Sequence, residues 1–151
     1  KAQTAIIAYC LMPNHVHLIL QPSNEIGLRK IGEVHRLYTR YINRKMEWSG
    51  YLWQGRFGSY PMDDAYLYNA LRYIELNPVF AGLCVSPEQY RWSSARQRIY
   101  FNSAHDLKTA PAPFTEDWKT YWKEGLEKHH IMQEIERNTI EQTPKLAGGT
   151  Q

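Results

Sequence analysis

The spacing of apolar and polar residues predicts a β-hairpin near the start of the chain. Residues 3–10 are rich in strand formers, and residues 15–20 alternate before turning fully apolar. Met12, Pro13 and Asn14 lie between these stretches and favour a turn, because proline fixes φ and asparagine tolerates unusual backbone angles. The two strands are therefore expected to pair antiparallel.

A helical period follows the hairpin. Residues 26–46 place their apolar, aromatic and imidazole side chains three and four positions apart, at Leu28, Ile31, His35, Tyr38 and Ile42. Such spacing builds one continuous stripe along a helix. We predict a single long amphipathic helix over residues 26–46.

Positive charge is concentrated in the same part of the chain. Residues 26–60 contain seven basic and two acidic residues, whereas residues 106–151 contain six basic and eight acidic residues. Arg36, Arg40 and Arg44 recur every four positions, along a helix edge away from the apolar stripe. A central basic surface suits phosphate binding, although a basic helix face is more often simply solvated.

The middle of the chain predicts one further strand and a second helix. Residues 49–60 mix three glycines with Tyr, Trp and Phe, which indicates an aromatic strand flanked by turns. Asp63 or Asp64 can cap the following helix, because a short acidic side chain accepts the unpaired amide hydrogens of a first turn. The helix should run to about Leu76, since Pro78 is expected to end it.

The C-terminal part is expected to be an extension of a main domain. A shorter helix is predicted within residues 93–100, and the loop 102–114 with its two prolines marks a boundary. The domains are then residues 1–101 and residues 102–151, the latter with polar helices and a flexible end. Its aromatic residues should dock onto the main domain, since they would otherwise form an exposed patch; they are Trp118, Tyr121 and Trp122.

Length and composition fit a soluble protein with one main domain. The chain has 151 residues, of which 43% are hydrophobic and 13% aromatic, enough to build a core. No apolar run approaches the roughly 18 residues that span a bilayer, so a cytoplasmic location is expected. Cys10 and Cys84 lack the spacing of a zinc site or a disulfide framework, and we expect two buried thiols.

Two histidines are the first candidates for chemistry. His15 and His17 are two positions apart on a predicted strand, so their side chains share one face while Val16 occupies the other. Two neutral imidazoles on one face can bind a divalent metal. Taken alone, such a pair is more often structural, and a second element is needed to support a metal site.

The second helix supplies a tyrosine and an amide. Tyr66, Ala70, Tyr73 and Asn77 form a single stripe, so Tyr73 and Asn77 are neighbours one turn apart. A metal beside a tyrosine increases its nucleophilic power, because the cation favours the phenolate. The alternative is a tyrosine that packs where the helix meets the sheet.

The segment before this helix offers groups that could bind unpaired DNA. Trp53, Gln54 and Arg56 combine an aromatic plane, an amide and a guanidinium within four residues. These groups suit base stacking and base-edge hydrogen bonds. A core tryptophan with a salt-bridged arginine is the alternative. His35 is expected to be a core histidine and not a ligand.

Four motifs resemble those of one protein family. Residues 8–20, AYCLMPNHVHLIL, are similar to the histidine–hydrophobe–histidine (HUH) motif of single-tyrosine transposases. Three further runs resemble motifs of the REP-associated tyrosine transposases: YLWQGRF at 51–57, RYIELNPVFAGL at 72–83 and PEQYRWSSAR at 87–96. The resemblance covers most of residues 8–96.

This resemblance implies a fold and a site. The fold would be α+β, a ferredoxin-like antiparallel sheet with helices on one or both faces, whose first strand and helix are lacking from this chain. Residues 1–101 would form the catalytic domain, with Tyr73 as nucleophile. His15, His17 and Asn77 would bind Mg²⁺ or Mn²⁺. Some relatives have a longer glutamine in place of Asn77, so a water could bridge this amide to the metal.

Three carboxylates are alternative ligands. Helical spacing assigns Asp63 and Asp64 to a helix start, where the helix dipole favours negative charge. It places Glu75 on a face away from Tyr73. All three are therefore expected to be caps or surface residues.

The resemblance also implies a reaction and a partner. The chain would cleave and rejoin single-stranded DNA at REP-like hairpins through a 5′-phosphotyrosine, without a membrane partner, as a monomer or a homodimer. A non-catalytic module that binds hairpin DNA on the same fold is the alternative. A two-histidine phosphoesterase is disfavoured, because it needs two separated H-x-[ST] motifs and the chain has one HxH.

Overall fold

The computed structural model describes residues 4–100 and 117–127. Its elements are the strands β1 (Thr4–Leu11) and β2 (Val16–Pro22), the helices α1 (Glu25–Met46) and α2 (Asp64–Phe80), a short 3₁₀ helix (Pro87–Gln89), and the helices α3 (Ser94–Tyr100) and α4 (Trp118–Glu127). This combination confirms the predicted α+β class. The predicted boundary at 102–114, the helix after residue 127 and the flexible end lie outside the described residues.

β1 and β2 form the predicted antiparallel hairpin. Cys10 lies opposite His17, and a register irregularity at Ile7 brings Ala8 opposite Ile19. An extra residue of this kind interrupts the alternation of side chains between the two faces. Ile7 and Ala8 are consequently both buried, although they are neighbours in the chain.

α1 confirms the predicted long helix. The side chain of Asn24 accepts a hydrogen bond from the backbone N–H of Gly27 at 3.1 Å, which satisfies one of the donors that a first helical turn leaves unpaired. At the other end, Glu47 adopts a left-handed backbone with φ 55° and terminates the helix. α1 contacts β2, and the residues of its stripe are half-buried or exposed instead of fully buried.

The predicted strand at 49–60 is wrong, because the whole connecting segment 47–63 is irregular. Gly50 has φ +94°, which turns the chain directly after α1. Trp53 then stacks on His35 of α1 with ring centroids 4.4 Å apart, and its Nε1 donates to the His35 carbonyl at 3.3 Å. Aromatic residues here pack against a helix instead of alternating in a sheet.

α2 starts as predicted and ends later than predicted. The carboxylate of Asp63 accepts a hydrogen bond from the Tyr66 N–H at 2.7 Å and so caps the helix. Pro78 does not end α2, which continues to Phe80. Proline removes only its own N–H, and within a last turn the later residues still bond: the N–H of Ala81 donates to the Asn77 carbonyl at 3.0 Å.

α4 docks on α2 through its aromatic residues, as the sequence predicts. Tyr121 and Trp122 are buried, and Tyr121 donates a hydrogen bond to the backbone carbonyl of Tyr68. Gly125 is buried at the same contact. No helix in the described part of the chain is long and apolar enough to cross a bilayer.

Two expectations about burial need correction. Glu75, expected at the surface or at a cap, is fully buried in the core. It lies on the face of α2 opposite Tyr73, and Arg98 compensates its charge there. Of the two cysteines, Cys10 is buried, but Cys84 is only half-buried because it follows α2 in a loop.

Candidate active site

A cleft of about 310 Å³ lies between β2, α1, the connecting segment and α2. Its walls include His15 and His17 from the hairpin, Tyr73 from α2, and His35 and Gln54 from the opposite side. The candidate nucleophile and the two candidate metal ligands therefore face one shared space, although they are far apart in the sequence.

The two histidine rings meet edge to face at the start of β2. Their Nε2 atoms are 2.9 Å apart, and the ring planes lie at 84°. His15 directly precedes the strand, and His17 lies within it. The prediction that the two side chains share one face is thus confirmed by their contact.

Asn14 orients the first histidine, a role that sequence reasoning did not find. Its side-chain carbonyl lies 2.6 Å from Nδ1 of His15. A carbonyl can only accept, so this contact favours the tautomer of His15 with the ring proton on Nδ1 and the lone pair on Nε2. Nε2 is the nitrogen that faces His17, and partners of this type orient histidines that bind metals. The asparagine was interpreted only as a turn residue.

Burial keeps His17 neutral. Desolvation, and to a lesser extent the neighbouring His15, lowers the pKa of His17 from 6.5 to about 4. Both effects disfavour the imidazolium ion, because a buried charge loses its hydration and a second charge nearby repels it. The unprotonated ring that metal binding requires is therefore the stable form at neutral pH.

Tyr73 and Asn77 approach His17 from α2. The rings of Tyr73 and His17 are 5.5 Å apart between centroids at an angle of 77°, and Nδ2 of Asn77 lies 3.3 Å from Nε2 of His17. Both α2 side chains are buried, with 6% of Tyr73 and 9% of Asn77 exposed. The helical spacing predicted this pairing, and the fold brings it onto the histidines.

The donor set fits a divalent metal. Two ligands at right angles around an ion, each about 2.1 Å away, are about 3 Å apart, which matches the separation of the histidine nitrogens. Rotating the amide of Asn77 by 180° would turn its oxygen toward the same point. Within residues 4–100 and 117–127, no group of three His, Cys, Asp or Glu residues could hold a metal. A third donor beside the histidine pair would have to be of another type, such as the amide oxygen of Asn77.

The connecting segment contributes polar groups to the cleft. Gln54 and Arg56 both line it, and Arg56 is exposed. The side-chain oxygen of Gln54 is buried and has no hydrogen-bond partner within the described structure. Such an acceptor costs free energy unless a ligand supplies a donor.

Comparison with known proteins supports the motif-based expectation. A family model described as "Transposase IS200 like" matches residues 1–77, just over half of the chain. The chain belongs to the IS200-like transposase family. A Haemophilus influenzae protein named "Putative REP-associated tyrosine transposase" is 30% identical over 124 residues, which cover 74% of this chain and 65% of that protein. No solved structure matches the chain.

The predicted phosphate-binding arginines of this IS200-like transposase chain lie apart from the cleft. Arg36, Arg40 and Arg44 are exposed along α1. None of the three is among the described residues that line the cleft.

His35 and Trp53 stack on each other at the wall of the cleft, and DNA contact by Trp53 stays a prediction. His35 is half-buried and lines the cleft, and its ring stacks on Trp53 and contacts Phe57 edge to face at 5.9 Å. The pair holds the connecting segment against α1. One face of the Trp53 ring is therefore occupied by protein. The polar residues of the connecting segment that line the cleft include Gln54, Arg56, Ser59 and Tyr60.

Proposed function

We propose that this chain cleaves and rejoins single-stranded DNA with Tyr73 as the nucleophile, in a reaction that depends on Mg²⁺ or Mn²⁺. The observation that carries the proposal is the convergence of Tyr73 and Asn77 on the His15–His17 pair. Three potential metal donors beside a phenol form the minimum set for this chemistry, and of these residues His15, His17 and Tyr73 line the cleft. The family match gives the reaction class, since transposases cut DNA.

The chemical step is a transesterification. The phenol oxygen of Tyr73 attacks a phosphorus of the DNA backbone, and the bond from phosphorus to the 3′-oxygen breaks. The phenolic proton passes to solvent, and the departing 3′-oxygen takes up a proton from solvent. The products are a 5′-phosphotyrosine and a free 3′-hydroxyl. A bound divalent ion would polarise the phosphate oxygens and favour the phenolate. Attack by another 3′-hydroxyl reverses the step and joins two strands.

His15, His17 and Asn77 would hold the ion beside the phosphate. The neutral state of His17 and the orientation of His15 by Asn14 favour this role. Asn77 would contribute its amide oxygen directly or through a water.

The substrate that we propose is a hairpin with an unpaired flank, of the REP-like type suggested by the relative's name. Arg36, Arg40 and Arg44 would contact phosphates of the hairpin, because their exposed guanidinium groups follow one helix edge. Gln54 and Arg56 would contact unpaired bases in the cleft, with Trp53 supporting them.

Covalent capture tests the nucleophile. The 151-residue chain is incubated with a labelled REP-like hairpin oligonucleotide and Mg²⁺ or Mn²⁺, and adducts are resolved on a denaturing gel. We expect an adduct that a chelator prevents, with the DNA attached to the peptide containing Tyr73 by mass spectrometry. Tyr73→Phe should bind the hairpin normally and form no adduct.

Tyr68→Phe is the matched control, because Tyr68 lies on the same helix and bonds to Arg72 at 3.2 Å instead of lining the cleft. It should form the adduct like the unaltered chain. An adduct with Tyr73→Phe would refute the assignment. Hairpin binding without any adduct from the unaltered chain would favour the non-catalytic binding module.

A further inference from the structure

The carboxylate of Glu75 is fully buried and is bonded by three side chains. One oxygen accepts from Ser94 Oγ at 2.7 Å and from Arg98 Nε at 2.6 Å, and the other accepts from Trp122 Nε1 at 2.9 Å. Of the side chains of Glu75 and Arg98, 0% and 7% are exposed. A buried ion pair is tolerated only with such complete hydrogen bonding. We call Glu75, Ser94, Arg98 and Trp122 the Glu75 cluster.

The Glu75 cluster ties α2 to three other elements. Ser94 and Arg98 belong to α3, and Trp122 belongs to α4. The guanidinium group of Arg98 also donates to the carbonyl of Ile7 at 2.6 Å, and Ser94 Oγ bonds to the backbone of Tyr9 at 3.2 Å. β1 is thereby included, and β1 pairs with the strand that carries His17.

The bonds of Glu75 could control where Tyr73 and Asn77 are placed, because all three residues lie on the same part of α2. A helix turns about 100° per residue, so Glu75 lies about 200° from both Tyr73 and Asn77, on the opposite face. Pro78 cannot donate the backbone hydrogen bond that would reach the carbonyl of Ile74. The helical turn that carries the nucleophile therefore lacks one internal restraint, and the cluster restrains it from behind.

We propose that the Glu75 cluster positions Tyr73 and Asn77 over the histidine pair. The inference rests on the proposed function and adds a positioning role for residues that do not line the cleft. The cluster fixes the rotation of α2 and its position along its own axis relative to β1. Pairing with β1 in turn fixes the position of β2. A displacement of about 1 Å at a reacting group can slow a reaction about 100-fold.

Trp122→Phe tests this role with little loss of packing. The variant keeps a buried aromatic ring but removes the N–H that bonds to Glu75. Adduct formation is followed in a single turnover at saturating hairpin DNA, which gives both a rate and a final amount of adduct. Hairpin affinity is measured in chelator, and the folded fraction at the assay temperature by circular dichroism.

We expect the rate to fall about 10-fold or more, with the final amount of adduct and the hairpin affinity unchanged. A purely structural role predicts the reverse, fewer competent molecules reacting at the normal rate. Glu75→Gln, which keeps the size but loses the charge that faces Arg98, should slow the reaction further. If Glu75→Gln does not fold, Trp122→Phe alone decides.

Tyr121→Phe is the control from the adjacent position. It removes the α4 hydrogen bond to the carbonyl of Tyr68 and leaves the four residues of the cluster intact. It should react at the normal rate. An unchanged rate in Trp122→Phe, or an equal slowing in Tyr121→Phe, would overturn the proposal. Absence of adduct from the unaltered chain would instead refute the proposed function.

Discussion

At the scale of single residues, the burial of His17 links metal binding to stability. The pKa of His17 is about 4 in the folded chain and 6.5 when unfolded. Above pH 6.5 the ring is neutral in both states, and stability is complete. Between pH 6.5 and 4 the His17 ring is protonated in the unfolded chain but still neutral in the folded chain. The free energy of unfolding therefore falls as the pH falls.

Metal-free protein should therefore lose about 2 kcal/mol of its unfolding free energy between pH 7 and pH 5 through His17 alone. Urea unfolding in the presence of a chelator measures the loss. In His17→Asn the side chain at position 17 cannot titrate, so the loss of unfolding free energy should be smaller by about 2 kcal/mol. His35 also has a pKa lowered by burial, but it is present in both proteins and cancels. Identical losses in the two proteins would contradict the prediction.

Replacing Gln54 should have opposite effects on the stability of the protein and on its affinity for DNA. Its buried oxygen has no partner in the described structure, so Gln54→Met removes an unsatisfied group of similar size. We expect an unfolding free energy that is unchanged or higher by about 1 kcal/mol. Affinity for the unpaired flank should fall about 10-fold, because a base contact is lost.

Gln89→Met is a matched control. The Gln89 side chain already accepts the Val85 N–H at 3.3 Å and does not line the cleft. This variant should be slightly less stable and should bind DNA normally. Equal affinities for the two variants would argue against base contact by Gln54.

Short-range spacing predicted which candidate side chains share a face, but not the partners that support them. The chemical roles proposed for these side chains come from the family resemblance. The HxH alternation and the four-residue step from Tyr73 to Asn77 are local geometry, which a strand or a helix fixes by itself. Asn14 acts through an orientation of its amide that a turn motif does not reveal. Helical spacing places Glu75 on the face away from Tyr73 and so predicts a cap or a surface residue. The fold instead buries that face and supplies Arg98 and Trp122 as partners.

At the scale of the elements, Gly125 is where α4 fits closely against α2. A Cβ at this position would lie 2.3 Å from Cδ of Arg72 and 2.7 Å from a methyl carbon of Leu76. These atoms are buried and have little room to move. Gly125→Ala should therefore lower the unfolding free energy by about 2 kcal/mol, even though alanine favours a helix.

Gly32→Ala gives the opposite sign on an open helix face. No atom lies within 4 Å of a Cβ at Gly32 of α1, so the variant should be more stable by about 1 kcal/mol. Thermal unfolding of both variants makes the comparison. A stabilised Gly125→Ala protein would mean that α4 does not dock as described.

The elements were predictable where periodicity and capping agreed, as in α1 and at the start of α2. The connecting segment was not predictable in this way, because a strand and a packed loop can be equally rich in aromatic residues. Its structure depends on His35, which is distant in the chain and offers a ring for Trp53 to stack on. Pro78 predicts a helix end, but α2 tolerates the missing N–H of Pro78 because this residue lies in its last turn.

At the scale of the whole molecule, the charge on α1 should govern how DNA binding responds to salt. Each phosphate contact releases counterions, so losing one reduces the slope of log affinity against log salt by about 1. We expect this change for Arg36→Gln, Arg40→Gln or Arg44→Gln, measured by fluorescence anisotropy on a hairpin over a range of salt concentrations. Lys119→Gln removes the same charge from the exposed side of α4 and should leave the slope unchanged.

The assembly of the site was the part that sequence alone could not give. His17 and Asn77 are 60 positions apart, and no local pattern shows that they approach within 3.3 Å. The family resemblance supplied that pairing as an expectation, and the packing of α2 on the hairpin accounts for it physically.

The hydrogen bond from Trp122 to Glu75 can form only late in the synthesis of the chain. It joins residues 47 positions apart, so a ribosome completes the histidines and Tyr73 well before it makes α4. At typical rates of synthesis, the nascent chain spends a few seconds with every reactive group but without the helix that fixes their geometry. If the Glu75 cluster positions Tyr73, a chain released early would be unable to cut DNA efficiently. Cleavage would then begin only after α4 has been synthesised and has docked on α2.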